Sequence, residues 1–196
     1  MTKEASAMRL SALVLSLCLF PTSAMALDIT PQVQIAAGAD APIANHLYVR
    51  ASTHLFWLPG DHAMTFAYTG VIYSVSDHFW VAPQIGVVAN WNNKGDIAPL
   101  GAVWAQVSND DLRFFFDVEL FPTTNNLVFY GYYNAEWMAN FWFGIGLQGE
   151  QVDLNVMYGP HLAFALSNTL VISPEYYYDP INKNHTFRWV TILTLN

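Results

Sequence analysis

The chain has 196 residues, of which 54% are hydrophobic and only 11% charged, and its formal net charge is −8. An average soluble domain carries roughly 25% charged residues, so the composition argues against an ordinary water-facing domain, and the acidic balance argues against nucleic acid as a partner. The single cysteine, Cys18, falls in a segment expected to be removed, which excludes disulfides, thiolate metal sites and cysteine nucleophiles from the remainder.

That segment, residues 1–26, reads as a cleaved secretory signal. Met8-Arg9-Leu10 supplies a cationic start, Leu10 to Phe20 an apolar run, and Ala24-Met25-Ala26 an A-x-A cleavage pattern. Met8 is also a plausible start. The apolar run, about 11 residues, is shorter than the roughly 20 needed to span a bilayer. Leu15-Ser16-Leu17 lacks the small residue expected before a lipid-modified cysteine, so no lipid anchor is expected. Lys3, Arg9 and Glu4 leave with the signal, and the rest of the chain then has a net charge of −9.

Residues 27–45 (LDITPQVQIAAGADAPIAN) leave three readings open: a plug, a periplasmic lead-in or an extra strand. The first clear strand runs from about His46 to Trp57. His46, Tyr48, Arg50, Ser52 and His54 share one face, and Val49, Ala51, Thr53, Leu55 and Trp57 share the other. Turn-forming clusters then recur at Pro59-Gly60-Asp61, Ser76-Asp77, Asn92 to Asp96, Ser108 to Asp111, Pro122 to Asn126, Ala139-Asn140, Gly149 to Gln151, Ser167-Asn168 and Asp179 to Asn184. Between them lie ten strands, matching the roughly 9–11 residues that a tilted transmembrane strand needs. The longest run free of Asp, Glu, Lys and Arg, Leu154 to Pro174, is broken as a helix by Asn155, Gly159-Pro160, His161 and Ser167-Asn168. A chain this apolar without a spanning helix is expected to satisfy its backbone in lipid as a closed β-barrel. Pro83 and Pro99 are expected near strand starts, and Pro160 and Pro174 at bulges or early strand ends.

The stretch LRFFFDVELF, Leu112 to Phe121, shows the two environments. Leu112, Phe114, Phe116, Val118 and Leu120 form an apolar face, and Arg113, Phe115, Asp117, Glu119 and Phe121 a charged and aromatic one. With the apolar face toward lipid, a polar cluster is expected in the lumen: Arg50, Arg113, Asp117, Glu119, Tyr130, Tyr132, Asn134, Glu136 and Arg188. In one register Arg113 lies opposite Glu136, Asp117 opposite Tyr132 and Glu119 opposite Tyr130, with Gln148 and Glu150 on the following strand. Aromatics gather near strand ends, so Trp57, Trp80, Trp91, Trp137, Trp142 and Trp189 are expected in belts at the headgroups.

In its signal, alternating runs, aromatic strand ends and acidic balance, the chain from about Asn45 to Asn196 resembles the small outer-membrane β-barrel proteins of Gram-negative bacteria. The resemblance implies an all-β, antiparallel up-and-down barrel of about ten strands, within a range of eight to twelve. It also implies contact with outer-membrane lipid and lipopolysaccharide and handling by the outer-membrane assembly machinery. The last strand, HTFRWVTILTLN, ends on Asn196 where such barrels usually end on an aromatic residue.

The first functional expectation is a polar, side-chain-filled lumen with a structural or surface-interaction role. A narrow cation-preferring pore is the second, because acidic rings favour cations. Ser52 and His54 offer a weak hydrolase alternative. They look a little like the serine–histidine pair of outer-membrane lipid A deacylases, but in reversed order and without an identified acid. A soluble periplasmic barrel binding an apolar ligand is the remaining class, because alternation alone does not tell inside from outside. His46, His54, His62, His78, His161 and His185 are scattered, so no metal site is expected, and no cofactor.

Overall fold

The structure, a computed structural model, describes residues 29–58, 62–91, 96–123 and 126–195. The expected signal, residues 1–26, lies outside the described residues. The chain folds as β1 (Ile29–Ala44), β2 (Leu47–Leu58), β3 (His62–Ser76), β4 (Phe79–Asn90), β5 (Asp96–Ser108), β6 (Leu112–Pro122), β7 (Leu127–Asn140), β8 (Phe143–Val152), β9 (Asn155–Ser167), β10 (Leu170–Asp179) and β11 (Asn184–Leu195). Each strand pairs with its sequence neighbour, and β1 closes on β11 to complete a barrel.

The ten strands β2 to β11 follow from alternation and turn chemistry. Asn109 Oδ1 accepts from the N–H groups of Asp111 at 2.9 Å and Leu112 at 2.7 Å, which tightens the β5–β6 turn. Asn140 Oδ1 does the same for Trp142 at 3.0 Å and Phe143 at 2.9 Å. Asp179 Oδ1 accepts from Ile181 and Asn182 between β10 and β11. The break expected at Gly149 to Gln151 is displaced: those residues belong to β8, and the chain turns at Asp153-Leu154. Asp153 holds φ at 52°, and its Oδ1 accepts from the N–H of Phe129 at 2.9 Å, so the aspartate fixes the turn.

Residues Ile29–Ala44 form an eleventh strand. It runs antiparallel to β2 and parallel to β11, with Ile29 opposite His185 and Ala39 opposite Leu195. An odd number of up-and-down strands cannot close with antiparallel pairs alone, so one parallel seam follows from the count. Consequently β1 begins at one end of the barrel and β11 finishes at the other. The end where β11 finishes carries turns of two or three residues, and the opposite end turns of two to five.

Pro83, Pro99, Pro160 and Pro174 all take the outward face. Pro83 and Pro99 sit opposite Val103 and Val87 within the continuous β4–β5 ladder, and on its other side Pro83 falls in a gap of the β3–β4 pairing. Between β9 and β10 the ladder is interrupted, with pairs at Ile172 and Phe164, Glu175 and His161, and Tyr178 and Tyr158; Pro160 and Pro174 fall in the gaps.

Orientation is decided by exposure. On β6, Leu112, Phe114, Phe116 and Leu120 are 40–47% exposed, whereas Asp117 is 6% and Glu119 2% exposed. The same parity holds around the barrel, with Ile85, Ile97 and Leu147 outward and Gln84, Glu136 and Arg188 inward. Among the described residues, no Asp, Glu, Lys or Arg projects from the outer face of any strand.

Candidate functional site: a lumen with two walls

The interior is divided by chemistry. Inward positions of β2 to β6 form an aromatic wall of Phe66, Tyr68, Ile72, Val88, Leu100 and Trp104, with Phe56, Trp80, Phe115 and Phe121 packed against it. Its rings touch edge to face or stacked: Tyr68 and Trp104 have centroids 5.1 Å apart, His54 and Trp104 5.5 Å, and Phe66 and Phe121 6.1 Å. The expected polar lumen is therefore corrected on this side, because the inward parity of β3 to β5 selects mainly aromatic and aliphatic residues.

The opposite wall is a single register row of polar groups. Arg113 on β6 faces Glu136 on β7, Glu136 faces Gly146 on β8, and Gly146 faces His161 on β9. His161 in turn faces Glu175 on β10, Glu175 faces Arg188 on β11, and Arg188 faces Gln32 on β1. Gly146 makes the row continuous across β8. A Cβ there would collide with His161 Cε1, Glu136 Cα and the Ala135 carbonyl, so the missing side chain lets the imidazole reach over to the carboxylate. His161 Nε2 lies 3.0 Å from Glu136 Oε2, and Arg113 pairs with Oε1 of the same carboxylate.

Arg188, 3% exposed, is the best-connected member of the row. It donates to Gln32 Oε1 at 2.9 and 2.8 Å, to Glu150 Oε2 at 2.6 Å and to the Tyr177 hydroxyl at 3.3 Å. One guanidinium thus ties β11 to both β1 and β8, so the parallel seam is held by side chains as well as backbone. Tyr177 donates to Glu175 Oε2 at 2.8 Å, and the Tyr132 hydroxyl lies 3.4 Å from Glu175 Oε1 and receives Asn134 Nδ2 at 3.3 Å.

The register placed Arg113 opposite Glu136, Asp117 opposite Tyr132 and Glu119 opposite Tyr130. Arg50 does not join that group: its guanidinium pairs with Asp40 on β1 at 2.6 Å and stands over the rings of Trp80 and Trp104. Trp80 likewise takes the lumen face rather than a belt, because it falls on the inward parity of β4 despite lying near the strand end. Trp57 and Trp91 lie at the long-turn end, Trp137 and Trp142 at the short-turn end, and all four are exposed. Trp189 is outward but mid-strand, opposite Pro174 and Val33.

Ser52 and His54 both point inward on β2 but do not form a catalytic pair. Ser52 Oγ is buried without a hydrogen-bond partner, and His54 stacks on Trp104 and lies tilted against Tyr68. A base must reach the nucleophile's proton, and no such contact is made. Among the described residues, no three histidine, cysteine or acidic side chains converge as a metal site.

A cavity of about 590 Å³ separates the walls. Its lining runs from Trp80 and Arg113 near the short-turn end to Leu58 and Met64 near the other, and takes in Asp117 and Glu119 midway. Sequence reasoning found the β6–β7 part of this site but missed Tyr68, Trp104, Asp40, His161, Glu175 and Tyr177. Each lies on the inward parity of its strand, which is the signal that would have found it. Scanned against models of protein families and against curated proteins, the chain matches none.

Proposed function

We propose that the chain spans the outer membrane of a Gram-negative bacterium as a closed barrel with a structural or surface-interaction role. The observation that carries this reading is the outer face, which lacks charged side chains on all eleven described strands while the acids and arginines of the strand interiors turn inward. An isolated charge facing acyl chains costs about 2–4 kcal/mol at the bilayer midplane for Arg or Lys, so a uniformly uncharged exterior suits lipid. Exposed aromatics near both ends, Trp57 and Trp91 at one and Trp137 and Trp142 at the other, suit the headgroup layers.

In this reading the short-turn end, where β11 finishes, is periplasmic and the longer turns face outward. Its partners are lipid and lipopolysaccharide on the outer face and the assembly machinery during insertion. The outward turn of the wholly apolar face of β6, with Phe114 and Phe116 exposed, supports lipid over water as the surroundings. Membrane extraction is the test: the protein stays with the membrane through salt and carbonate and is released by detergent, whereas release by carbonate alone refutes the proposal. Folded barrel should also migrate differently from boiled protein on a gel.

One observation favours a second reading, a narrow cation-preferring pore. The cavity lining reaches toward both ends and carries five carboxylates, Asp117, Glu119, Glu136, Glu150 and Glu175, against Arg50, Arg113 and Arg188. Planar-bilayer recordings decide it, since silence at all voltages removes the pore and leaves the structural role.

A further inference from the structure

We infer that the lumen cavity is a binding site for an organic cation, an ammonium group carrying an aromatic or alkyl body, with Asp117 and Glu119 as its counter-charges. The inference goes beyond the membrane role and is independent of whether the lumen conducts.

Asp117 and Glu119 occupy successive inward positions of β6, at 6% and 2% exposure, midway along the cavity. Glu119 Oε1 accepts from the Tyr68 hydroxyl at 2.6 Å, and the two carboxyl groups stand beside each other, but Glu119 Oε2 and Asp117 Oδ1 have no partner in hydrogen-bond geometry. The arginines do not answer them: Arg50 pairs with Asp40, Arg113 with Glu136 and Arg188 with Glu150. Two neighbouring carboxylates in a dry interior repel each other and are costly to hold ionised. They therefore require positive charge between them, either a shared proton or a bound cation.

The surroundings select the kind of cation. Trp104 faces Asp117 directly across the β5–β6 ladder, and its buried indole N–H stands beside the Asp117 carboxyl with no other partner. Phe115 lies 6.2 Å from the Trp104 ring and Tyr68 5.1 Å, so aromatic faces and edges flank the carboxylates. The same wall already holds one positive charge, since the Arg50 guanidinium sits 5.2 Å from the Trp80 centroid and 5.7 Å from that of Trp104. A hard metal ion needs a shell of several oxygen ligands, which two carboxylates beside indole and phenyl rings do not supply. A weakly hydrated ammonium satisfies the carboxylates by charge and the rings by cation–π contact. Its apolar body has space toward Phe66, Phe121 and Met64, in a cavity of about 590 Å³, within the roughly 300–1,000 Å³ usual for small-molecule sites.

The test compares benzyltrimethylammonium with its uncharged isostere neopentylbenzene by calorimetric titration of the folded full barrel in non-ionic detergent. The cation is expected to bind at least tenfold more tightly than the isostere. The D117N/E119Q variant, checked for folding by its gel mobility before boiling, is expected to lose at least tenfold for the cation and leave the isostere unchanged. Equal binding of cation and isostere to the unaltered protein overturns the inference, whether or not the variant folds. So does undiminished cation binding by a folded variant, which would mean that the pair shares a proton instead. Because the assay runs in detergent, its failure is separate from failure of the membrane-extraction test.

Discussion

The aromatic wall of β2 to β6 and the polar row from β6 through β11 to β1 enclose one lumen by different physics. Ring packing in the aromatic wall is built from many small dispersion contacts, shared among rings of neighbouring and more distant strands, so its energy is spread out. Energy in the polar row is concentrated in a few charged hydrogen bonds, and Arg188 reaches Gln32 over a sequence separation of 156 residues. The first wall should yield gradually to substitution. The second should fail sharply when one partner is lost, because the other is left buried and unpaired.

Substitutions at the two walls can break or sharpen this contrast, read as shifts in urea unfolding of the barrel in lipid vesicles. Arg188→Ala is expected to have the largest effect, about 3–5 kcal/mol, because it strands Glu150 and frees the parallel seam. Adding Glu150→Leu to Arg188→Met should recover most of that loss, and a double variant as weak as the single one would show that the pair is not the cause. Gly146→Ala should cost about 1–3 kcal/mol by forcing the added methyl against His161 and the Ala135 carbonyl. Tyr68→Phe, which removes the donor to Glu119 where the two walls meet, should cost about 1–2 kcal/mol. Phe66→Leu in the aromatic wall should be mildest, about 1 kcal/mol. If it matched Arg188→Ala, the contrast between the walls would be wrong.

The chain order of strands was legible because period-two alternation and turn residues are local signals. Ten strands from His46 onward could be placed that way, and the β6–β7 register of the fold is one of those that keep both polar faces inward; a shift by two residues satisfies the same pattern. β1 was harder because its small residues, Ala36, Ala37, Gly38 and Ala39, give weak alternation, and Pro31 and Pro42 resemble loop signals. Gly149-Glu150-Gln151 looks like a turn in isolation, yet Glu150 is held in the strand face by Arg188. Trp80 was misplaced because nearness to a strand end was weighed above parity. The closing row and the Asp40–Arg50 pair depend on which strands become neighbours around the barrel, which no local pattern specifies. Only the fold identifies His161 as the group for which Gly146 makes room.

The central claim is that the wholly apolar strand faces meet lipid while the charged and aromatic faces enclose the lumen. With Cys18 in the expected signal, single cysteines placed at Phe116 and Asp117 can each be spin-labelled without interference from another thiol. In vesicles, the label at 116 should be readily accessible to oxygen dissolved in the acyl chains and protected from a water-soluble nickel chelate, and the label at 117 should be shielded from that oxygen. A lipid-accessible label at 117 together with a shielded one at 116 would contradict the account.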